Sequence, residues 1–85
     1  MKLNKKSMLN CLITSPKKTT TYKNIQRLTI PASSGQAQIL PNHAESFFLL
    51  RPGNVTLEIS AGKKKNILVS EGECYVKNNL ATLIL

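Results

Sequence analysis

Residues 54–60 have the sequence NVTLEIS, and this stretch decides the fold class because its apolar and polar side chains alternate strictly. Val55, Leu57 and Ile59 fall on one side of such a segment, and the polar residues between them fall on the other. A period of two predicts a β-strand with one buried and one solvated face, whereas a helix repeats its apolar positions about every 3.6 residues. No stretch of the chain carries a long amphipathic helical pattern, so the sequence predicts an all-β domain.

Turn-forming residues interrupt the chain on both sides of this strand, at intervals of about eight to twelve residues. They occur at Ser15-Pro16, 31–35, Pro41-Asn42, 51–54, Ala61-Gly62, Glu71-Gly72 and Asn78-Asn79. We predict short strands between them, at residues 9–14, 22–30, 36–40, 46–50, 54–60, 65–70, 73–77 and 80–84. Short strands at this spacing indicate a β-sandwich or a β-barrel.

The chain has 85 residues, which is too short for two bodies that each bury a useful core. We therefore expect a flexible basic amino-terminal extension at residues 1–8 and one domain at residues 9–85. The longest apolar cluster, residues 47–50, is far shorter than the about 20 residues of a membrane-spanning helix. The basic start is followed by an apolar stretch that Asn10 interrupts, so we predict no secretion signal.

The net charge of +8 raises the question of nucleic-acid or membrane binding. The lysines cluster in three turn-like settings, namely near the amino terminus, at Lys17-Lys18 after Pro16, and at residues 63–65 after Gly62. Solvated loop tips account for most of this charge. The aromatic residues do not interleave with the lysine runs as a base-stacking surface requires, so the pattern predicts no nucleic-acid partner.

The sequence offers no catalytic constellation. It contains no Asp, and its four acids are Glu45, Glu58, Glu71 and Glu73. A Ser-His-Asp triad lacks its Asp, no glycine-flanked serine elbow is present, and the scattered single glycines do not form a phosphate loop. One histidine, His43, and two remote cysteines are too few for a metal site. We therefore predict no catalytic residue, no cofactor and no metal, in a protein that is not an enzyme.

The two cysteines, Cys11 and Cys74, lie far apart on apolar stretches, without the paired spacing that zinc or a redox motif requires. Free Cys is among the residue types most often buried. We therefore expect two small buried hydrophobic residues, with a disulfide or a metal as the alternative.

Three segments together resemble one known family: LTIPASSGQAQILPNHA at 28–44, RPGNVTLEI at 51–59 and ILVSEGECYVKNNLATLIL at 67–85. They are similar, in order and over roughly residues 9–85, to the amino-terminal β-sandwich of the epsilon subunit of F-type ATP synthases, called delta in mitochondria. ILPNHA at its distance from the Pro-Gly pair is a fairly specific signature, and SGQ with LPNHA looks like chloroplast and cyanobacterial members. This sequence departs from the family at Gln38 and Glu71, where glycine is common, and at Glu45, where proline is common.

The resemblance implies a small sandwich of two antiparallel sheets with about ten short strands. It implies a non-catalytic rotor subunit of the central stalk, present in one copy, that seats gamma on the c-ring and couples ion translocation to ATP synthesis. Such a subunit is peripheral to the membrane, on the stromal side of the plastid thylakoid or the cytoplasmic side of the bacterial inner membrane. Family members usually continue into a helical hairpin that can restrain ATP hydrolysis. Because this sequence stops at Leu85, we expect a form without that inhibitory domain.

The resemblance also implies two contact surfaces. The c-ring contact is expected at Ser34, Gly35, Gln36, Asn42 and His43, and the gamma contact is expected at Phe47, Phe48 and Leu50. Two alternatives stay open at this point, because His43 could cap its own loop and the apolar residues could simply pack in the core.

Two rival interpretations belong to other classes of protein. A small basic β-domain that binds single-stranded RNA would show salt-dependent binding. An enzyme that uses Cys11 or Cys74 would lose its activity on thiol alkylation. Neither interpretation explains the ordered similarity across nearly the whole chain.

Overall fold

The computed structural model of the chain describes residues 8–60 and 62–85. These residues form nine strands and no helix, so they contain no helix that is long and apolar enough to cross a membrane. The strands are β1 (Leu9–Thr14), β2 (Thr19–Ile25), β3 (Arg27–Ala32), β4 (Gly35–Ile39), β5 (Ser46–Leu50), β6 (Gly53–Ser60), β7 (Lys63–Val69), β8 (Gly72–Lys77) and β9 (Leu80–Ile84). Of the predicted extension at residues 1–8, all but Met8 lies outside the described residues.

The predicted strand at residues 22–30 is divided by a bend at Gln26 into β2 and β3. Asn24 just before the bend has a φ of 60°, which Asn tolerates better than most residues because its short side chain can bond locally. The backbone N–H of Gln26 donates to the carbonyl oxygen of Glu58 at 2.8 Å. The chain thereby passes from one layer of the fold to the other without a long loop.

The strands form a sandwich, which confirms the predicted fold class. The first layer has the strand order β2-β1-β9-β8-β5, and the second layer has the order β4-β3-β6-β7. The layers are not separate sheets, because Ala32 of β3 pairs with Leu50 of β5 and joins them at one corner. The predicted antiparallel pairing also has one exception, since β1 and β9 are parallel.

The core lies between the two layers and is built by strand alternation. Val55 and Leu57 are fully buried, as the pattern of residues 54–60 predicts, whereas Ile59 near the end of β6 is exposed. One cluster contains inward side chains from every strand: Leu9, Cys11, Ile13, Ile25, Leu28, Ile30, Ile39, Leu50, Val55, Leu57, Val69, Cys74, Val76, Ala81 and Leu83. Because the described residues bury no polar or charged side chain, this core is wholly apolar.

Most successive strands reverse direction, so their connections gather at two ends of the sandwich. The Ser34 end contains the turns at 15–18, 33–34, 51–52 and 70–71, and the N–H of Leu85 donates to the Thr14 carbonyl there at 2.9 Å. The Asn79 end contains the bend at Gln26, the β4–β5 loop and the β8–β9 turn. This division into two ends decides which predicted contact residues can act together.

Candidate functional site

The turn between β3 and β4 projects from the Ser34 end. Ala32 and Gly35 face each other across it, and the φ of 127° at Gly35 lies in a region that glycine alone adopts readily. Ser34, Gly35 and Gln36 are all exposed. The turn therefore presents hydroxyl, backbone and amide groups to solvent, as the sequence predicts.

A shallow concavity of about 570 Å³ adjoins this turn on the second layer. Gln36 and Arg51 line it, together with the amide side chains of Asn54 and Asn66. The backbone of Arg51 is tied to β3, because its N–H donates to the Pro31 carbonyl at 2.9 Å. Sequence reasoning missed Arg51 as a neighbour of the turn, since fifteen positions separate it from Gln36 (51 − 36).

Asn42 lies at the other end of the sandwich, where it is tied to the β8–β9 turn. Its backbone N–H donates to Asn79 Oδ1 at 2.5 Å, and Asn79 Nδ2 donates back to Asn42 Oδ1 at 3.3 Å. Both residues have positive φ, of 67° and 60° respectively. This reciprocal pair fixes the position of the β4–β5 loop.

His43 makes its contacts within its own loop. Its backbone N–H donates to the Leu40 carbonyl at 3.1 Å, and its Nδ1 lies 2.8 Å from the Ala44 carbonyl oxygen. A carbonyl can only accept, so Nδ1 carries the hydrogen in this bond. The Ser46 hydroxyl donates to the same carbonyl at 2.7 Å, and the ring centroid of Phe48 is 6.4 Å from that of His43. These contacts fit the alternative in which His43 caps its loop.

The five residues predicted for the c-ring fall into two groups at opposite ends of β4. Ser34, Gly35 and Gln36 lie at the Ser34 end, whereas Asn42 and His43 lie beyond the far end of β4. An extended strand rises about 3.3 Å per residue, so β4 separates the two groups by roughly 13 Å or more. A short distance along the chain becomes a long distance in space because the residues between are extended.

The residues predicted for gamma are also divided, because strand alternation sends them to opposite faces of β5. Phe47 points outward and is 51% exposed. Leu50 is buried in the core, and Phe48 packs against that core, so Leu50 cannot offer area to a partner. Leu49, which sequence reasoning omitted, is 53% exposed beside Phe47.

An apolar patch covers the outside of the first layer, and we call it the outer face; it consists of Phe47, Leu49, Tyr75 and Ile84. Phe47 pairs with Tyr75 across β5 and β8, and the two ring centroids are 4.9 Å apart. Leu49 and Ile84 flank the same residue of β8, Glu73. Four consecutive apolar residues at 47–50 were the signal that both faces of β5 are apolar.

A hydrogen-bonded pair of polar groups, from Tyr75 and Glu73, lies on the outer face. The Tyr75 hydroxyl donates to Glu73 Oε1 at 3.1 Å. This bond raises the pKa of Tyr75 above its ordinary value, because the carboxylate favours the protonated phenol; desolvation and the charge of Glu73 add to the effect. The phenol therefore stays neutral at physiological pH, which suits a surface that is mainly apolar.

A profile of the family described as ATP synthase, Delta/Epsilon chain, beta-sandwich domain, matches residues 8–85. The chain belongs to this family. The resemblance carried by residues 28–44, 51–59 and 67–85 is thereby confirmed.

Relatives of this delta/epsilon sandwich domain include the ATP synthase epsilon chains of two bacteria. It is 32% identical over 73 residues to the ATP synthase epsilon chain of a Nitratiruptor species, covering 86% of this chain and 57% of the relative. It is 39% identical over 77 residues to the epsilon chain of Leptospira borgpetersenii serovar Hardjo-bovis, covering 89% and 59%. The chain thus spans less than two thirds of the length of these relatives.

Solved structures share the fold of the delta/epsilon sandwich domain. A chain of the Euglena gracilis mitochondrial ATP synthase structure described as OSCP/F1/c-ring in rotational state 1 superposes with a TM-score of 0.83 at 20% identity, covering 95% of this chain and 52% of that one. A chain of the Tetrahymena thermophila mitochondrial ATP synthase central stalk/c-ring structure gives 0.76 at 17% identity, covering 95% and 65%. The fold is therefore similar even though few residues are identical.

The cysteines of this delta/epsilon sandwich domain are free and fully buried, which confirms the prediction of small core residues. Burial raises the pKa of each thiol to about 12, and proximity to Cys74 contributes to the shift at Cys11. The thiolate is the nucleophilic form, so neither cysteine is reactive in the folded domain. Within residues 8–60 and 62–85, no group of three His, Cys, Asp or Glu side chains is placed to hold a metal ion.

The lysines at residues 63–65 were predicted to lie in a turn-like setting, with a strand from residue 65, and the structure moves the start of that strand to Lys63. They begin β7 and pair in register with β6, where Lys65 faces Leu57 and Lys64 faces Glu58. Hairpin pairing overrides the low strand propensity of lysine, because an edge position leaves the long side chains solvated.

Proposed function

We propose that the chain is a non-catalytic rotor subunit of an F-type ATP synthase, which seats gamma on the c-ring and couples ion translocation to ATP synthesis. The observation that carries the proposal is family membership over residues 8–85. The relatives that share this sandwich are named ATP synthase epsilon chains. The subunit is present in one copy and is peripheral to the membrane, on the cytoplasmic side of a bacterial inner membrane or the stromal side of a thylakoid.

The outer face is our candidate for the gamma contact. Phe47 and Leu49 are each about half exposed, and Tyr75 and Ile84 lie beside them. Contiguous exposed apolar patches mark interaction sites in soluble proteins, and aromatic residues are enriched at the centres of interfaces. We therefore replace Phe48 and Leu50 of the initial prediction with Leu49, Tyr75 and Ile84.

The Ser34 turn is our candidate for the c-ring contact. Gln36 carries both an amide donor and an amide acceptor, which suits polar loops whose exposed groups include backbone N–H and C=O. Arg51 beside it adds a cation to the same concavity. Asn42 and His43 belong to the opposite end, so we assign them to the stability of the β4–β5 loop rather than to the ring.

Rigidity is the physical requirement of this role, since torque must pass between gamma and the ring without slip. A close-packed interior has low compressibility and transmits strain. The core of the domain is apolar throughout its described residues and is shared by both layers. A sandwich of this kind serves as a stiff spacer without any reactive group.

Binding to purified gamma and detergent-solubilised c-ring from the same organism tests the proposal. We expect Phe47→Ser to weaken binding to gamma, and Gln36→Ala to weaken binding to the ring. Leu68→Ser is the matched control, because Leu68 is 79% exposed but lies on the second layer. Wild-type protein that binds neither partner, or that binds a single-stranded RNA in a salt-dependent manner instead, would contradict the proposal.

A further inference from the structure

Three strands end the hydrogen-bonded order of the sandwich: β2 ends the first layer, and β4 and β7 end the second, whereas β5, at the other end of the first layer, is joined to β3 through Leu50. Such an edge strand has a row of backbone N–H and C=O groups without a partner strand. Proteins usually block these edges with charged side chains, bulges or proline, because an open edge can pair with another chain. The three edges of this domain differ sharply in that respect.

Two of the edges are blocked. Strand β7 begins with three lysines, and its register against β6 shifts between Glu58 and Ser60. Lys65 occupies the same side of the strand as Val69, so a charge is placed on the core-facing side of this edge. Strand β2 carries Lys23, and its register against β1 shifts between Leu9 and Cys11.

The third edge, β4, is open. Its sequence GQAQI has no charge and no proline. It pairs with β3 through five consecutive positions without a register shift, from Ala32–Gly35 to Leu28–Ile39. No device that blocks β2 or β7 is present in β4.

The groups that β4 leaves unpaired can be identified. On one side of β3, the Ser33 N–H donates to the Leu49 carbonyl and the Pro31 carbonyl accepts from the Arg51 N–H, so Pro31 and Ser33 direct these groups toward β5. Ala32 lies between Pro31 and Ser33 in the strand, so its N–H and C=O point to the opposite side, toward β4. Pro31 has no N–H and faces Gln36, so that pair exchanges no hydrogen bonds. By alternation, the backbone groups of Gln36 and Gln38 point away from β3, into solvent.

We propose that an extended segment of the gamma subunit adds to the sandwich as a strand along β4, bonding to the backbone N–H and C=O groups of Gln36 and Gln38. This inference rests on the proposed function. Strand β4 starts in the Ser34 turn, our candidate for the c-ring contact, so a gamma subunit seated on the ring beside that turn would lie along the strand. Strand addition gives affinity through backbone hydrogen bonds and specificity through alternate side chains.

The neighbouring side chains define the chemistry of the added segment. Gln36 and Gln38 are exposed on the outside of the second layer, and Ala37 between them packs against the core. The segment would therefore alternate, with hydrogen-bonding side chains beside the two glutamines and small apolar side chains on the side of Ala37.

A second copy of this chain fits the edge less well than gamma does. Each copy carries a net charge of +8, which opposes association. A five-residue edge also buries far less than the about 1,600 Å² of a typical stable interface. Gamma can contact the outer face as well as the β4 edge and so bury more area. A second copy paired through β4 alone has only the area of that edge.

The test compares two substitutions at one position in a binding assay with purified gamma. Gln38→Pro removes a backbone N–H that β3 does not use and places a ring on the open edge. Gln38→Ala removes the side chain and keeps the N–H. We expect Gln38→Pro to weaken binding at least about tenfold, and Gln38→Ala to change it by less than about threefold. Thermal unfolding of both variants should match the wild type, because the β3–β4 ladder is intact.

The outcomes separate this inference from the proposed function. If wild type binds gamma and Gln38→Pro binds equally well, strand addition is refuted and the rotor role stands. Equal losses in both variants would mean a side-chain contact, which also refutes strand addition. A wild-type protein that does not bind gamma would overturn both.

A dimer in size-exclusion chromatography that Gln38→Pro converts to a monomer would assign the edge to a second copy and refute the gamma assignment. If Gln38→Pro unfolds, Gln36→Pro replaces it, because it removes the other backbone N–H that β3 does not use, and the same loss of binding to gamma is expected.

Discussion

Substitution of Gly72 by alanine is expected to test how tightly the Ser34 end is packed. Gly72 begins β8, opposite Leu50 of β5, and lies against the end of β9. A Cβ atom at this position would overlap the carbonyl oxygen of Ile84 and lie 3.0 Å from Leu85 Cδ2. The obstructing atom belongs to the backbone, so a rotamer change cannot relieve the overlap.

The size of the effect follows from the cost of overpacking, which is about 1–3 kcal/mol for an added methyl group in a packed site. We expect the upper part of that range, about 2–3 kcal/mol, because β9 itself must move. For a domain of this length, that loss lowers the Tm by roughly 10–20 °C. Displacement of Ile84 would also disturb the outer face, so binding to gamma should weaken.

Thermal unfolding followed by circular dichroism is the assay, with urea unfolding as the check on free energy. Glu71→Ala is the matched control, because Glu71 is the exposed neighbour of Gly72 and its substitution should leave the Tm within about 2 °C. A Gly72→Ala variant as stable as the Glu71→Ala control would show that the close approach of β8 to β9 is not a constraint, and the reasoning would fail.

Three further predictions concern the core, the loop and the outer face. Both thiols should resist alkylation at pH 8 until urea unfolds the domain, and rapid labelling of the native protein would contradict their burial. Because folding raises the pKa of each thiol from 9.0 to about 12, the free energy of unfolding should be constant below pH 9 and fall as the pH rises toward 12. Asn79→Gly should lower the free energy of unfolding by about 1–2 kcal/mol through loss of the Asn42 pair, and Asn79→Ala by about 1 kcal/mol more because of its positive φ; equal urea midpoints for wild type and Asn79→Gly would refute a stabilising pair. Glu73→Ala should lower the pKa of Tyr75 toward its ordinary value in an ultraviolet pH titration, and an unchanged titration would show that the bond to Glu73 does not form in solution.

Local patterns predicted the sandwich because the alternation at residues 54–60 and the turns beside it depend only on neighbouring residues. The break between β2 and β3 was missed because residues 24–26 include no glycine or proline that would mark a turn. The strand predicted at residues 65–70 starts two residues earlier, at Lys63, because pairing with β6 outweighs the low strand propensity of lysine. Local signals thus locate strands well and fail where a tertiary partner decides the boundary.

The candidate site shows the same division between local and long-range information. The exposed turn at Ser34 follows from its composition alone. Whether His43 lies near that turn depends on the direction of β4, and whether Leu50 or Leu49 faces outward depends on the register of β5 against β8. A shift of one residue in that register would exchange the two leucines between core and surface. Sequence patterns do not specify a register to this accuracy.

The contrast between the two exposed surfaces of the sandwich gives the domain a defined docking direction. The outside of the second layer carries a polar row across four paired strands, from Gln38 and Thr29 to Thr56 and Asn66. Apart from the exposed Leu68, its centre offers hydroxyl and amide groups, and there the Thr56 hydroxyl donates to Asn66 Oδ1 at 2.7 Å. The outer face of the first layer offers apolar area, whose removal from water stabilises a complex by roughly 25 cal/mol per Å².

A partner that approaches the sandwich therefore gains most on the first layer. The lysines on β2 and β7 discourage pairing at the edges farthest from β4. The open edge of β4 and the outer face are thus the two surfaces that we propose for gamma, and a subunit that used both would be fixed in orientation as well as in position.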